Sequence, residues 1–390
     1  MTVGVAAEIV LGERRAAVVP AGVRELRKAG LDVIVQADAG ANAGFSDDEY
    51  REAGARIEPR RADVFAAADA VLQVHVGPGA DGQDLRLIRS GQTVVGLFDP
   101  LVDRPLVEAL ARSGATSFSL QLLPRITRAQ PMDVLSSMAT VAGYKAVIVA
   151  AAALPKMMPM LMTAAGTVAP ARVLVIGAGV AGLMAIATAR RLGARVEAYD
   201  VRPAAREQVQ SLGARFLELP LEIADSEDAS GYARAQDEDF YRRQRELLAR
   251  AVSTSDIVIT TAVVPGRKAP ILVTRSMLSA MAPGSVIVDL AAERGGNCEA
   301  TRPDDEVVES GVLVLGPTNL AATVPGDASR MYSRNATAFL LHLAKGGELH
   351  FKEDDEIVKE TLVTRSGEIV HPRLRQEAEL PGPATTERSR

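Results

Sequence analysis

Short apolar runs of strand length alternate with segments whose apolar positions recur at helical spacing along most of this 390-residue chain. In the N-terminal region, residues 3–6 predict a strand, 20–29 a helix ended by Gly30, 32–36 a strand and 45–55 another helix. Strands follow at 70–74 and 93–97, a helix at 105–113 and an extended segment at 117–122. Alternation of this kind predicts a parallel sheet flanked by helices. Residues 136–154 read as one long helix leading into a second region.

In that second region the apolar run Val173 to Ile176 ends in Gly177, Gly179 and Gly182, and a helical pattern continues through Leu183, Ile186, Ala187 and Leu192. Val196 to Tyr199 then reads as strand and closes a strand–helix–strand unit. Further strands at 215–219, 257–260, 286–290 and 312–315 bring the number to the six of a complete dinucleotide fold, with the expected order 3-2-1-4-5-6. Between the third and fourth strands, residues 223–239 are too long and polar for an ordinary connection. They predict a disordered segment or a lid with Tyr232 at its tip. A helical pattern at 328–344 returns the chain to the first region, and beyond Pro372 the composition predicts disorder. The expected architecture is α/β: two doubly wound parallel-sheet domains joined by long helices, the second a Rossmann domain. The domain limits are 1–135 with 328–375, then 136–327, with 376–390 as a tail.

The glycine turn carries the chemistry. Gly177 permits a tight turn, Gly179 lets a pyrophosphate approach the backbone and Gly182 allows close packing of helix on strand. Ala178 and Val180 complete the turn at the helix N-terminus, where N–H groups and the helix dipole favour phosphate. Asp200, at the end of the second strand and followed by Val201, is placed to accept hydrogen bonds from the adenosine ribose. Its charge favours NAD over NADP, and Arg202 and Arg206 soften that preference. A glycine turn without ligand is the alternative for such a motif. Gly295-Gly296-Asn297 after the fifth strand, and Gly316 to Asn319 after the sixth, fall at the same carboxyl edge of the sheet.

A net charge of −5 argues against nucleic acid as a partner. Cys298 is the single cysteine, which excludes an internal disulfide and a cysteine-rich metal site and suits a reducing compartment. The N-terminus has no basic stretch followed by an apolar one, so no signal peptide is expected. Residues 146–171 are apolar enough to raise the question of a membrane span, but Pro155, Lys156 and Pro159 interrupt them. A buried alanine-rich helix, with Met157, Met158, Met160 and Met162 as core filling, is the expectation.

The segment Pro124 to Met138, P-R-I-T-R-A-Q-P-M-D-V-L-S-S-M, gathers polar groups between two apolar regions, where ligands commonly bind; a solvated linker is the plain alternative. Its motif R-I-T-R-A-Q-P-M-D-V-L-S-S-M, the run M-T-A-A-G-T-V-A-P-A-R-V-L-V-I-G-A-G-V-A-G and the motif D-L-A-A-E-R-G-G-N-C together resemble the NAD(H)-binding subunit of proton-translocating NAD(P) transhydrogenase. The similarity runs from about Val3 to about Leu343. It implies a peripheral homodimer at the cytoplasmic face of the cell membrane, assembled with an NADP(H)-binding beta subunit and a membrane-spanning subunit. It further implies that NAD(H) lies in the cleft between the two domains. Arg125, Gln130, Asp133 and Ser136 would surround the nicotinamide, Gly177, Gly179 and Gly182 the pyrophosphate and Asp200 the ribose. Tyr232 would belong to a mobile loop that closes over nucleotide.

Alanine dehydrogenase shares this fold and is the relative to exclude. Oxidising an amino acid needs proton transfers and an activated water, whereas hydride passage between two nicotinamides needs only approach and orientation. The similar dehydrogenases carry a histidine after the strand here ending Gly96-Leu97-Phe98-Asp99-Pro100 and a lysine in the segment here written Val74 to Pro78. Neither stands here. Arg15 matches their substrate-binding arginine but shows no evident catalytic companion, and His75 reads as a replacement acid/base or a structural histidine. A non-catalytic NAD(H)-binding sensor is a third reading.

Overall fold

β-Branched runs make the first sheet. Strands β1 (Thr2–Val5), β2 (Asp32–Gln36), β3 (Arg56–Glu58), β4 (Ala70–His75), β5 (Thr93–Leu97) and β6 (Thr116–Ser119) are all parallel in the computed structural model, in the order β3-β2-β1-β4-β5-β6. β1, β4, β5 and β6 are buried over nearly their whole length, as strands covered on both faces must be. The structure describes residues 1–77, 82–218, 238–263, 268–352 and 354–379.

The helix expected over 45–55 forms only at Asp47–Glu52, where Ser46 and Glu49 close a reciprocal capping box. The segment at 117–122 splits into the end of β6 and a turn of 3-10 helix, Leu120–Leu122. Strand β3 and the helix Arg61–Ala67 escaped the sequence pattern, the strand because three half-exposed residues carry no period.

Helix Val134–Ala153 takes the chain from one compact unit, Met1–Ser137 together with the chain from Val324 onward, into the other, Met138–Thr323. By length and composition it could cross a membrane, and about a third of its apolar window is buried. Ala146, Val147 and Ala150 lie in the core of the second unit, while Leu135 and Tyr144 are exposed. Expectation and structure differ here, because an alanine-rich helix has little amphipathic signal to show which side is covered. The methionine expectation also fails in part: Met158 is buried, but Met157, Met160 and Met162 are exposed. They run into an antiparallel hairpin, β7 (Leu161–Thr163) and β8 (Gly166–Val168), most of whose residues are exposed.

The second sheet contains β9 (Arg172–Ile176), β10 (Arg195–Tyr199), β11 (Arg215–Phe216), β12 (Ile257–Thr260), β13 (Val286–Asp289), β14 (Glu306–Glu309) and β15 (Val312–Leu315). Its order is β11-β10-β9-β12-β13-β15-β14. The six parallel strands thus follow the expected 3-2-1-4-5-6 winding, and β14 adds an antiparallel edge through a turn at Ser310 and Gly311, both of positive φ.

Helix Pro325–Leu343 re-enters the first unit, where Ser329 and Ser333 hydroxyls accept from the Ala16 and Val19 amides. After a small hairpin, β16 (Ala344–Lys345) with β17 (Glu348–Leu349), strands β18 (Leu362–Arg365) and β19 (Glu368–Ile369) extend the first sheet antiparallel beyond β6. Helix Pro372–Glu379 reaches into the stretch expected to be disordered from 376; residues 380–390 lie outside the described residues.

Candidate functional site

The chain leaves β9 at Ile176 and reverses through Gly177, whose φ of +99° is open to glycine and strained for other residues. The Gly177 N–H donates to the Tyr199 carbonyl at 2.8 Å, tying the turn to the end of β10. A Cβ on Gly182 would stand 1.8 Å from the Gly177 carbonyl oxygen, so that position admits no side chain. Gly179 differs: its φ of −76° suits any residue, and nothing lies within 4 Å of where its Cβ would be. That open space lies at the N-terminus of helix Val180–Arg191, which no side chain caps. Val180 is exposed beside it, and Val201 packs on the core.

Asp200 reaches back to the same turn. Its Oδ2 accepts from the Ala178 N–H at 2.7 Å. Arg202 occupies the remainder, its backbone N–H and Nε donating to Oδ1 and its Nη2 to Oδ2, each at 2.9 Å. A carboxylate has about four acceptor directions. All are engaged, so a ribose hydroxyl binds here by displacing Arg202. Arg206 pairs instead with Glu218 at 2.8 Å.

The polar segment of the first unit folds as a 3-10 turn, Thr127–Met132, that includes Pro131. It is pinned by Asn335, whose Nδ2 donates to the Pro131 carbonyl at 2.7 Å, and by Arg128 on Asp355 at 3.0 Å. Arg125 and Gln130 are exposed. Asp133 and Ser136 are occupied with each other: Asp133 Oδ1 accepts from the Ser136 N–H at 2.9 Å and Oδ2 from its hydroxyl at 2.5 Å. This is an N-cap for helix Val134–Ala153. Tyr232 lies outside the described residues.

Arg15 has companions that the linear sequence did not reveal. Its guanidinium, 4% exposed, donates through Nε to Glu13 Oε1 at 2.8 Å and through Nη2 to Glu13 Oε2 at 2.5 Å. His75 Nε2 stands 2.9 Å from the same Glu13 oxygen and 3.3 Å from Arg15 Nη2. Glu8 accepts from the Val74 and His75 amides, and burial pushes its carboxyl up to about 7 against the pull of the His75 charge. Glu13 is driven the other way: burial would raise it, but the hydrogen bonds from Arg15 and His75 hold it well below the carboxylate range.

The N-terminal domain model of alanine dehydrogenase/PNT matches residues 4–142, and the C-terminal domain model matches 146–372. The chain belongs to the alanine dehydrogenase/PNT family. Within it, the chain is 46% identical over 368 residues to the first portion of the divided NAD(P) transhydrogenase subunit alpha of Rhodospirillum rubrum, covering 93% of this chain and 96% of that one. It is 33% identical to the alanine dehydrogenase of Halomonas elongata, over 91% of each chain. Among solved structures, a transhydrogenase from Sinorhizobium meliloti superposes with a TM-score of 0.85 at 44% identity, covering 95% of this chain and all of the other. An L-alanine dehydrogenase gives 0.81 at 28% identity, covering 96% and 98%. The two-domain Rossmann-like architecture is therefore common to both branches of the alanine dehydrogenase/PNT family, and the choice of chemistry rests on side chains.

Proposed function

We propose that this chain is the NAD(H)-binding component of an NAD(P) transhydrogenase. It would present NADH for direct hydride transfer to NADP⁺ held by a partner beta subunit. The observation that carries this reading is the open space over Gly179 at an uncapped helix N-terminus, with Asp200 tied to the same turn. A pyrophosphate fits such a place because N–H groups and helix dipole face it with no side chain between.

The reaction breaks the C4–H bond of the dihydronicotinamide and delivers hydrogen with its electron pair to C4 of the nicotinamide on the partner. No proton moves at either carbon, so no nucleophile or base is required. The chain has to bind, orient and exclude water. Arg125 and Gln130 are the proposed orienting groups, and Asp133 and Ser136 the carboxamide ligands, with Tyr232 closing over the nucleotide. The proposal includes a homodimer at the cytoplasmic face of the membrane, beside a membrane-spanning subunit through which proton translocation drives the transfer.

One observation favours the alanine-dehydrogenase type of chemistry: His75, Glu13, Glu8 and Arg15 form a half-buried cluster that includes two acid/base-capable groups. Glu13 already neutralises Arg15, which weakens its attraction for a substrate carboxylate. Titration of the purified chain with NADH and NADPH, followed by assay with pyruvate, ammonia and NADH, separates the readings. NADH binding with negligible turnover is expected. Steady oxidation of NADH by the chain alone would reject the transhydrogenase reading.

A further inference from the structure

The D-L-A-A-E-R-G-G-N-C motif converges on a buried carboxylate. Asp289, at the end of β13, receives five hydrogen bonds. Thr260 Oγ1 donates to Oδ1 at 2.9 Å and the Ala291 amide to Oδ1 at 3.0 Å. The Asn297 and Cys298 amides donate to Oδ2 at 2.7 and 3.0 Å and Thr301 Oγ1 to Oδ2 at 2.6 Å. A desolvated carboxylate is tolerable only with such a full set of donors, and the set holds the loop from Ala291 to Thr301 in one conformation.

That loop in turn grips the end of β12. Asn297, fully buried, accepts from the Ala262 N–H at 2.9 Å and donates from Nδ2 to the Ala262 carbonyl at 2.9 Å and the Pro270 carbonyl at 2.8 Å. Ala262 is thus held at both of its backbone polar groups by one amide. Its neighbour Thr261 completes the chain of contacts: its N–H donates to the Ile176 carbonyl at 2.9 Å and its hydroxyl to the Gly177 carbonyl at 3.0 Å. The Gly177 carbonyl is therefore lodged between the Thr261 hydroxyl and the bare Cα of Gly182.

We infer that Thr261 and Asn297 are positioning residues for dinucleotide binding. Together they hold the Gly177 carbonyl turned into the protein, so that the glycine turn presents N–H groups rather than a carbonyl oxygen to the pyrophosphate. A carbonyl facing phosphate would repel it, and a turn free to flip would spend part of the binding energy on ordering itself. This inference rests on the proposed binding of NAD(H) at the turn.

The test compares Thr261→Val, which removes the hydroxyl, with Thr261→Ser, which keeps it, by NADH titration and by amide hydrogen exchange over residues 177–180. Met281→Ala, a buried change in the same unit away from the turn, controls for lost stability. Thr261→Val should weaken NADH about tenfold, the scale of one lost buried hydrogen bond, and speed exchange at the turn, while Thr261→Ser stays within about twofold of the parent. Asn297→Ser should reproduce the loss. Unchanged NADH affinity in Thr261→Val, an equal loss in Thr261→Ser, or an equal loss in Met281→Ala would overturn the inference. If the parent itself binds no NADH, the functional proposal fails and the exchange rates decide positioning alone: faster at the turn in Thr261→Val supports it, unchanged rejects it.

Discussion

Arg202 grips Asp200 through two parallel hydrogen bonds, Nε to Oδ1 and Nη2 to Oδ2, both at 2.9 Å. The charge that would turn away a 2′-phosphate is therefore matched by a guanidinium two residues on. Removing the guanidinium should sharpen the choice of nucleotide. Arg202→Ala is expected to bind NADH more tightly and NADPH more weakly, widening their ratio by about tenfold, the equivalent of roughly 1.4 kcal/mol. Asp200→Asn should narrow it. Paired titrations with the two nucleotides check both changes.

Gly179 and Gly182 should separate binding from folding. At Gly182 a Cβ meets the Gly177 carbonyl at 1.8 Å, and the strand and helix must part to admit it. Gly182→Ala is expected to destabilise the second unit by roughly 2 kcal/mol or more. At Gly179 a methyl meets nothing, so Gly179→Ala should melt within about 0.5 kcal/mol of the parent. It should nonetheless lose at least about tenfold in NADH affinity, because the methyl fills the space proposed for pyrophosphate. Melting curves with and without NADH distinguish the two.

Asp133 serves the helix that begins at Val134, and the proposed contact with nicotinamide is a second demand on it. Asn caps as well as Asp, whereas Ala costs about 1 kcal/mol. Asp133→Asn should keep the stability of the parent yet slow hydride transfer about tenfold, since it replaces a carboxylate acceptor by an amide. Asp133→Ala should lose both. A transfer rate unaltered in Asp133→Asn would leave Asp133 with its capping role alone.

Glu8 gives the first unit a pH dependence. Its carboxyl, raised by burial to about 7, holds a proton more firmly in the folded than in the unfolded chain. Stability therefore falls as pH rises from about 4.5 to about 7 and is level above that, a change on the order of 2 kcal/mol. Glu8→Gln should flatten this slope. Glu13, held low, contributes in the opposite sense and only below about 4.5, where its native pairing with Arg15 is lost. Melting temperatures of parent and variant at pH 5 and pH 8 provide the check.

The winding of the second sheet was legible because its strands are buried runs of Val and Ile punctuated by glycines, a pattern local to each element. β14 was not, since E-V-V-E is half exposed and its partner is the following strand alone. The glycine turn could be read because backbone geometry dictates its residues. Glu8, Glu13 and His75 could not be assembled, because β1 and β4 are neighbours only in the folded sheet. The E-x-R spacing of Glu13 and Arg15 was the one available signal. Likewise Asn297 was placed at the sheet edge by its position after a strand, but its hold on Ala262 belongs to the crossing of two loops.

The most direct measurement mixes the purified chain with a separately prepared NADP(H)-binding subunit and follows hydride transfer from NADPH to an NAD⁺ analogue of shifted absorbance. Rapid transfer in the mixture, with none from the chain alone, is the expected result. No transfer in any mixture, despite tight NADH binding, would contradict the central claim and leave a nucleotide-binding module without this chemistry.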